Sequence, residues 1–348
     1  MPMESLIKEW SGEYVVTRYD AKVGAWMFIC AHSTRLGPAS GGTRMKLYGT
    51  PDDGLRDAQR LSEGMTYKWA GVDFPRGGGK GVIALSRPLE DEEREPLLER
   101  YGAWIATLRG SFATGADLGV GPESVEVIGR RTEHVFGNSA GDPGPYTALG
   151  VLCGTRAMAT QLFGGQDSLA DRTVLIQGIG DVGKPLSRLL AEAGARLKLA
   201  DVDVGRVEAM AQELDAEVVE VDSVYDEPCD IFSPCALGGM LNPKTIPRLK
   251  CRGVSGAANN QLESEEDAQQ LHARGVLYAP DFINNAGGAI AICGLEALKM
   301  SEEEVTRRVE SIGATQLEIF QEAKHKGESP IHAAKRRAER VLERGPAK

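Results

Sequence analysis

The spacing of apolar residues predicts two regions of different organisation. Up to about residue 135, short apolar runs typical of strands mix with helical spacings, as in an α+β domain. One helix, capped by Asp52 or Asp53, is predicted to carry Lys68 on its last turns, and a second spans about 91–109. Strands are predicted at 14–16, 24–30 and 82–85.

Beyond residues 137–145, which are rich in turn formers and predict a hinge, strands and helices alternate. This alternation indicates a doubly wound parallel sheet. Ser301 and Glu304 form a capping box for a long helix, and a last helix begins near Ile331. The predicted strands are 173–177, 196–200, 230–232, 253–255 and 276–279, with helices at 181–193 and around 207–214.

The pattern therefore predicts an α/β protein with two domains. The first covers residues 1–136, and the second, a Rossmann-like doubly wound domain, covers 137–328. The last helix, within 329–348, is expected to pack back on the first domain. A length of 348 residues supports two domains, because one hydrophobic core rarely organises so long a chain.

Composition argues against several classes of function. A net charge of -10 and a pI near 5.2 disfavour nucleic acid as a partner, because its phosphates favour a basic face. No segment approaches the ~20 apolar residues of a membrane helix, and the N-terminus lacks the pattern of a signal peptide. We therefore expect a cytoplasmic protein that does not bind a membrane. The 6 cysteines include no Cys-x-x-Cys and the 5 histidines lack ligand spacing, so we expect free thiols and no metal.

A dinucleotide fingerprint is predicted at the start of the second domain. Gly178, Gly180 and Gly183 follow an apolar strand, and Asp181 and Val182 lie between them where a helix opens. The first glycine permits a tight turn, the second lets a pyrophosphate reach the backbone, and the third lets helix and strand pack closely. The free amides and positive dipole of the helix N-terminus favour the phosphates.

Nucleotide specificity is predicted from Asp201, which lies eighteen residues past Gly183 at the end of the next strand. A carboxylate there can bind both ribose hydroxyls and repel a 2′-phosphate, which favours NAD over NADP. Two alternatives stay open. Asp201 can instead cap the loop before the next helix, and Arg206 nearby leaves room for NADP.

Lys68 and Lys80 are the candidate reactive groups of the first domain. One lysine can hold a carboxylate by its charge. A second, buried and close to the first, loses proton affinity and becomes a base near neutral pH. The pair predicts a site for an amino acid or a 2-keto acid. Lys80 follows three glycines and is expected in a loop before the strand 82–85, whereas Lys68 taken alone is typical of a solvated helix end.

Six motifs, in order along the chain, resemble those of the Glu/Leu/Phe/Val amino-acid dehydrogenase family, and most of all its leucine, phenylalanine and tryptophan branch. They are 37–45 (GPASGGTRM), 64–68 (GMTYK), 77–80 (GGGK), 233–238 (SPCALG), 256–262 (GAANNQL) and 285–288 (NAGG). The resemblance implies an NAD-dependent enzyme that reversibly deaminates an apolar L-amino acid to its 2-keto acid and ammonia. It also implies a substrate-binding and oligomerisation role for the first domain, and at least a homodimer.

The resemblance implies catalytic roles for two residues. Lys80 would be the general base that activates water on the imine. Asp117 would hydrogen-bond the amino group and shuttle protons. A buried lysine near a cation can have a pKa of roughly 7 to 8, which suits that duty. Asp117 in a glycine-rich loop is also compatible with a simple turn residue.

Binding roles follow from the same resemblance. Lys68 would hold the α-carboxylate with help from the Gly41 backbone and from Asn259 or Asn260. The asparagines alone are also compatible with satisfying buried backbone groups. The residues implied to contact the nicotinamide half of the cofactor are Thr147, Ala236 and Asn259.

Substrate choice depends on the positions that match the family's side-chain pocket. Ser40 stands near where glutamate-specific members have a lysine, and it cannot meet a side-chain carboxylate. Gly115, Ala289 and Ile292 complete an apolar lining. Two of these residues are small and leave volume, which favours an aromatic side chain over leucine or valine, although neighbouring side chains can refill the space.

The chain departs from the family pattern at Ser40, Trp69, 119–122 and Asn284. These departures motivate a second hypothesis, a catalytically silent dinucleotide-binding sensor or assembly protein on the same scaffold. A third hypothesis, a hydroxy-acid oxidoreductase, would need a histidine paired with a carboxylate, and His134 beside Glu133 is its sole support.

Overall fold

Two units make up the chain in the computed structural model, which describes residues 3–137 and 141–346. Unit 1 comprises Met1–Gly141, Glu296–Lys299 and Ala338–Lys348, and unit 2 comprises Asp142–Leu295 and Met300–Arg337. The predicted hinge at 137–145 includes the point where unit 1 gives way to unit 2. Its residues 138–140 lie outside the described residues, and its role as a hinge stays a prediction.

The last helix, Pro330–Arg344, is shared between the units. Its residues up to Arg337 count with unit 2, and those from Ala338 count with unit 1, where Ala338 and Val341 pack against Leu36 and Ala70. The last helix is predicted to pack as a whole on the first domain, whereas in this division only its part from Ala338 belongs to unit 1.

Unit 1 is a mixed α+β unit, as its apolar pattern predicts. Its helices are α1 (Met3–Glu9), α2 (Pro51–Gly71), α3 (Asp91–Ala106) and α4 (Pro122–Gly129). Its strands are β1 (Tyr14–Asp20), β2 (Ala25–Ser33), β3 (Ala39–Ser40), β4 (Thr43–Leu47), β5 (Gly77–Leu85) and β6 (Phe112–Ala113).

The six strands form one sheet in the order β1-β2-β5-β3-β6, with β4 also paired to β5. The pairs β1–β2 and β2–β5 are antiparallel, and the others are parallel. Side chains alternate across the sheet, so Phe28 and Cys30 pack with α1 and α2, whereas Met27 and Ile29 pack with α3 and α4. The central strands β2 and β5 therefore form a middle layer between helices on both faces.

Lys80 lies inside β5, and the predicted loop before residue 82 is wrong. All nine residues of β5 are buried. Glycine disfavours strands, which is why three of them in a row predicted a loop. The structure gives a packing reason, because a Cβ on Gly78 would lie 2.0 Å from Thr66 Oγ1 on α2. Gly78 therefore lets that helix lie directly on the strand.

The N-cap of α2 is Thr50, and the prediction of Asp52 or Asp53 is wrong. The Asp53 N–H donates to Thr50 Oγ1 at 3.3 Å, and the Thr50 N–H donates to Asp53 Oδ2 at 3.1 Å, which completes a capping box. Pro51 follows at the first helical position, where its missing N–H costs nothing.

Unit 2 alternates strands and helices, as predicted. Its strands are β7 (Thr173–Gln177), β8 (Arg196–Ala200), β9 (Glu217–Val218), β10 (Ile231–Pro234), β11 (Gly253–Val254) and β12 (Leu277–Tyr278). Its helices are α5 (Gly144–Leu162), α6 (Gly183–Glu192), α7 (Val204–Leu214), α8 (Glu265–Ala273), α9 (Asp281–Asn284), α10 (Gly287–Ile292), α11 (Glu302–Lys326) and α12 (Pro330–Arg344). Short 3₁₀ turns lie at Val221–Ser223 and Ile246–Arg248, and a π-helical turn lies at Cys293–Ala297.

The strands of unit 2 form an all-parallel sheet in the order β12-β11-β10-β7-β8-β9. Val174 and Ile176 of β7 pack with α5, α6, α7 and α11, whereas Leu175 packs on the opposite face with α8. Helices therefore cover both faces, and the predicted doubly wound fold is confirmed.

Two further predictions concern single features. Ser301 and Glu304 form the predicted capping box of α11. The six cysteines are free thiols, all buried or half-buried. Among the residues that the structure describes, none of the helices has the length and apolar character to cross a membrane, and no group of His, Cys, Asp and Glu could hold a metal ion.

Candidate active site

Lys80 and Asp117 form an ion pair in unit 1, in which the Lys80 Nζ donates a hydrogen bond to Asp117 Oδ2. Lys80, Val82 and Ala84 follow each other at every second position of β5 and therefore share one face of the strand. Val82 and Ala84 belong to the cluster that packs with α2. Lys80 therefore lies on the sheet face that α2 covers, and its side chain is 5% exposed. The fold removes this amine from water and gives it a carboxylate partner.

A tight turn holds Asp117. The Asp117 N–H donates to the Val120 carbonyl at 3.1 Å, and the Val120 N–H donates back at 2.8 Å. Gly119 within the turn has φ 76°, in the left-handed region that favours glycine. A Cβ there would also lie 1.9 Å from the Met45 carbonyl oxygen. The departure from the family pattern at Gly119 therefore has a structural reason.

Arg44 on β4 also binds Asp117. Its Nε donates to Asp117 Oδ1 at 2.8 Å, and its Nη1 donates to Oδ2 of Asp57 on α2 at 3.1 Å. The same oxygen of Asp57 accepts a hydrogen bond from the Tyr48 hydroxyl at 2.7 Å. Lys80, Asp117, Arg44 and Asp57 thus alternate in charge along one series of contacts, which we call the charge chain.

Burial and the charge chain shift the pKa values of the pair. Burial lowers the pKa of Lys80, the Asp117 carboxylate opposes this effect, and Arg44 adds to it. Burial alone would raise the pKa of Asp117, but Lys80 and Arg44 outweigh it and lower that pKa to about 2. The lowered pKa of Lys80 agrees with the prediction. The cation found to contribute is Arg44, whereas the prediction named Lys68.

Lys68 lies half-buried on the last turn of α2. Ser40 and Gly41 are buried at the end of β3. The Trp69 ring N–H donates to the Ser40 carbonyl at 3.1 Å, so two departures from the family pattern contact each other. The Gly41 N–H donates to the Ala113 carbonyl at 3.2 Å and is therefore already engaged by the sheet. This bond argues against a carboxylate contact through that N–H.

The volume predicted at Gly115 is filled by Phe136. A Cβ on Gly115 would lie 2.4 Å from the Phe136 ring, which is held there because the Phe136 N–H donates to the Thr114 carbonyl at 2.8 Å. Gly115 therefore leaves no extra volume for an aromatic substrate at this position. Ala289 and Ile292 are half-buried on α10 of unit 2.

The glycine-rich turn of unit 2 has the geometry that a dinucleotide needs. Gly178 has φ 99°, which turns the chain out of β7. A Cβ on Gly183 would lie 1.8 Å from the Gly178 carbonyl oxygen, so the start of α6 packs on the turn at backbone distance. A Cβ on Gly180 would meet no atom within 4 Å, and Gly180 and Asp181 are exposed. Backbone N–H groups are thus open to a pyrophosphate, and Val182 is the N-cap of α6.

Asp201 connects this turn to the end of β8. Its Oδ2 accepts from the Ile179 N–H at 2.5 Å, and its Oδ1 accepts from the Asp203 N–H at 2.9 Å. The N-cap of α7 is Asp203, whose side chain accepts from the Arg206 N–H at 3.0 Å. Asp201 therefore braces the loop, but it does not cap the helix. Arg206 Nη1 lies 3.8 Å from Asp201, as the prediction of a nearby arginine requires.

Ala236, Asn259 and Asn260 are exposed residues in two loops of unit 2. A Cβ on Gly178 would lie 2.9 Å from Ala236, so the structure brings Ala236 against the glycine-rich turn. Asn259 Oδ1 accepts from Asn285 Nδ2 at 2.9 Å, which orients its amide. Asn260 has φ 51°, and its carbonyl accepts from the Gly239 N–H at 2.7 Å.

Thr147 and Asn284 lie in the helical layer of unit 2. The Thr147 hydroxyl donates to the Pro143 carbonyl at 3.2 Å within the first turn of α5. Asn284 is fully buried and donates to Ser255 Oγ and to the Gly256 carbonyl, both at 3.1 Å. A Cβ on Gly154 would lie 1.9 Å from Asn284 Oδ1, so this glycine makes room for the departure at Asn284.

Four residues of the candidate site were missed from the sequence: Arg44, Asp57, Phe136 and Asn285. Arg44 and Asn285 lie inside the recognised motifs, so their polar side chains were a usable signal. Asp57 and Phe136 carried none, because their roles depend on neighbours that only the fold supplies. Arg44 and Asp117, for instance, are 73 residues apart in sequence.

Comparison with known proteins identifies similar sequences for both units. Residues 20–134 match the family profile described as Glu/Leu/Phe/Val dehydrogenase, dimerisation domain, and residues 196–343 match the one described as Glutamate/Leucine/Phenylalanine/Valine dehydrogenase. Leucine dehydrogenase of Thermoactinomyces intermedius is 39% identical over 348 residues, which cover 99% of this chain and 94% of the relative.

L-tryptophan dehydrogenase of Nostoc punctiforme is 41% identical over 336 residues, which cover 96% of this chain and 94% of the relative. A crystal structure of L-tryptophan dehydrogenase from Nostoc punctiforme matches with a TM-score of 0.88 at 38% sequence identity. It covers 98% of this chain and 99% of its own.

Proposed function

This chain belongs to the Glu/Leu/Phe/Val dehydrogenase family, and on that premise we propose that it catalyses the NAD-dependent, reversible oxidative deamination of an apolar L-amino acid. The products are a 2-keto acid and ammonia. The observation that carries the proposal is the buried Lys80–Asp117 pair, in which Lys80 has a lowered pKa. A lysine whose pKa is lowered gives up its proton more readily, which makes it a suitable general base for this reaction.

Each charged group of unit 1 has a proposed task. Lys68 holds the α-carboxylate of the substrate by charge. Asp117 accepts a hydrogen bond from the amino group and keeps it oriented. Bound NAD supplies the acceptor for the hydride that leaves Cα, and the substrate becomes an iminium ion. Lys80 then takes a proton from the water that attacks the iminium carbon, which gives a carbinolamine and protonated Lys80. Lys80 passes this proton through Asp117 to the amino nitrogen. Ammonia then leaves while the carbinolamine O–H gives its proton to Lys80 and becomes the keto oxygen.

NAD is the proposed dinucleotide because Asp201 carries a negative charge beside the glycine-rich turn. The Gly180 backbone is open to a pyrophosphate. Ala236, Asn259 and Thr147 are proposed to meet the nicotinamide half, and Asn259 has its amide fixed by Asn285.

The proposal includes a homo-oligomer, at least a dimer, in the cytoplasm. The description of the matched N-terminal profile as a dimerisation domain supports the first part. Six free thiols are compatible with a reducing compartment.

The proposed substrate class is apolar, either branched-chain or aromatic. Ser40 offers no positive charge to a side-chain carboxylate. Because Phe136 fills the space beside Gly115, the size of the residue at 115 no longer favours an aromatic side chain over a branched one. The catalytically silent sensor is not favoured, because Lys68, Lys80 and Asp117 are all present and the relatives named above are dehydrogenases.

A panel of substrates tests this function. Purified protein with NAD is expected to form NADH, measured by absorbance, with at least one of L-leucine, L-phenylalanine and L-tryptophan, and to prefer that amino acid strongly to L-glutamate. The reverse reaction with the matching 2-keto acid and NADH is expected to require ammonium. Silence with every amino acid would contradict the proposal, and reverse turnover without ammonium would favour a hydroxy-acid enzyme.

A further inference from the structure

Arg44 occupies a position that the proposed reaction does not yet use. Its guanidinium donates hydrogen bonds to two carboxylates, to Asp117 at 2.8 Å and to Asp57 at 3.1 Å. Its side chain is 17% exposed. An arginine held this way is rigid, because both of its carboxylate partners lie on fixed elements: Asp57 on α2, and Asp117 in a turn bonded to β4.

Asp117 presents separate oxygens to its two cationic partners. Oδ2 accepts from Lys80, and Oδ1 accepts from Arg44 and from the Leu118 N–H at 2.7 Å. Three donors thus fix the orientation of the carboxylate. Removal of Arg44 would leave the Leu118 N–H as the remaining partner of Oδ1 among these contacts.

The charges of Asp117 and Arg44 have opposite effects on the pKa of Lys80. A lone carboxylate beside a buried lysine stabilises the protonated amine and opposes its release of a proton. The positive charge of Arg44 offsets part of that attraction. This is why Asp117 raises the pKa of Lys80 whereas Arg44 lowers it.

We propose that Arg44 is a positioning residue of the Lys80–Asp117 pair, which orients Asp117 and offsets its charge so that Lys80 can give up its proton during turnover. This inference rests on the proposed function, because it gives Lys80 the role of base. Asp57 accepts a hydrogen bond from Arg44 on the side of the guanidinium away from Lys80 in the charge chain. Asp57 also accepts a hydrogen bond from the Tyr48 hydroxyl at 2.7 Å.

Other charged and titratable groups near Lys80 must be counted as well. Cys30 is the partner of Lys80 in the β2–β5 register, and burial raises the pKa of its thiol, so it stays neutral. Asp57 also contacts Arg60 at 2.9 Å and Lys46 at 3.9 Å. The groups contributed by the elements around Lys80 include Arg44 of β4, Asp57 and Lys68 of α2, Asp117 of the turn after β6, and Cys30 and His32 of β2. Burial lowers the pKa of His32.

The sign of the expected effect follows from these charges. Oxidative deamination needs neutral Lys80, so the rate falls on the acid side as Lys80 becomes protonated. Loss of Arg44 leaves Asp117 uncompensated and raises the pKa of Lys80, so the acid limb moves to higher pH. Loss of the Asp57 charge removes a group that raises the pKa of Lys80, so the limb moves to lower pH.

The test is the pH profile of kcat/KM for the best L-amino acid in the wild type and four variants. Arg44→Gln is expected to move the acid limb up by about one pH unit, a loss of about tenfold at any pH below the limb. Arg44→Lys keeps a positive charge, so its acid limb is expected to lie close to that of the wild type. Titration of the substrate's own amino group is common to all variants and cannot produce a difference between them.

Arg100→Gln is the matched control. Arg100 is a half-buried arginine of the same unit that binds Asp20 through two hydrogen bonds, at 2.5 and 3.1 Å. Its loss is expected to affect stability much as the loss of Arg44 does, but to leave the acid limb in place. Asp57→Asn completes the set and is expected to move the limb to lower pH, a direction that general damage to the site does not predict.

The outcomes separate the inference from the function on which it rests. An acid limb in Arg44→Gln equal to that of Arg100→Gln overturns the role of Arg44, and so does an upward shift in Asp57→Asn. If Arg44→Gln does not fold, Asp57→Asn still decides through the direction in which its acid limb moves. Full turnover in Lys80→Ala, measured in parallel, would instead overturn the base assignment in the proposed function.

Discussion

The candidate sites of the two units are built in opposite ways. In unit 1 the chemistry lies in side chains that are charged, mostly buried and paired with each other, as in the contacts of Asp117 with Lys80 and Arg44. In unit 2 the site is largely backbone, with Gly180, Asp181 and Ala236 exposed. Unit 1 shields its charged side chains from water, whereas unit 2 exposes its glycine-rich turn to solvent.

This difference agrees with the task proposed for each unit. A group that exchanges protons needs a dry setting and neighbours that set its proton affinity. A phosphate needs N–H groups that no side chain obstructs. Substitutions in unit 1 should therefore change rate and pH dependence, whereas substitutions in unit 2 should change cofactor affinity or local packing.

The largest expected effect is that of Lys80→Ala, which removes the proposed base. We expect kcat to fall by about 10³-fold, because general acid–base catalysis contributes 10²–10⁴-fold. NAD affinity, measured by fluorescence titration, should stay nearly unchanged, since Asp117 keeps Arg44 as a partner. Lys198→Ala is a suitable control, because it removes a half-buried lysine paired with Glu227 in unit 2. Loss of NAD binding in Lys80→Ala would contradict the expectation that substitutions in unit 1 change the rate and not the cofactor affinity.

The next effect separates two glycines of the same turn. Gly183→Ala places a Cβ 1.8 Å from the Gly178 carbonyl oxygen, and the backbone must shift. We expect a loss of about 1–3 kcal/mol in the free energy of unfolding, measured by denaturant titration. Gly180→Ala meets no atom within 4 Å and should change stability by less than about 0.5 kcal/mol. It should nevertheless weaken NAD binding, and equal stability losses in both variants would refute this reading of the turn.

A smaller effect is expected for Asp201→Asn. The amide keeps the shape but loses the charge that is proposed to bind ribose hydroxyls, so the Kd for NAD should rise by about tenfold, since hydrogen bonds to charged groups contribute about 1.5–3 kcal/mol. The preference for NAD over NADP should narrow. Asp203→Asn is the control, because asparagine is as good an N-cap as aspartate. If both variants bind NAD like the wild type, Asp201 serves only to brace its loop.

The sequence predicted the doubly wound sheet and the family correctly, because period and motif order are local properties of the chain. The edges of β7 and β8 and the capping box of α11 agree with the structure for the same reason. The family assignment is confirmed by both profiles.

The errors came from features that depend on distant neighbours. Gly77, Gly78 and Gly79 suggested a loop, but they lie in a buried strand. Each is packed against a different neighbour that leaves no room for a side chain: Gly37 and Ser33 at Gly77, α2 at Gly78, and Ala39 and Phe112 at Gly79. Thr50 was overlooked as a cap although Pro51 beside it was a usable signal. The volume at Gly115 was misjudged because no local pattern places Phe136 against it.

The most direct test of the account is the titration of Lys80 itself. Protein labelled with ¹³C at lysine Cε can be followed by NMR across pH, with the Lys80 signal assigned through the Lys80→Arg variant. The account predicts a midpoint below the ordinary lysine value of 10.5. A midpoint at or above that value would contradict it, because Lys80 would then stay protonated where the enzyme is proposed to need a base.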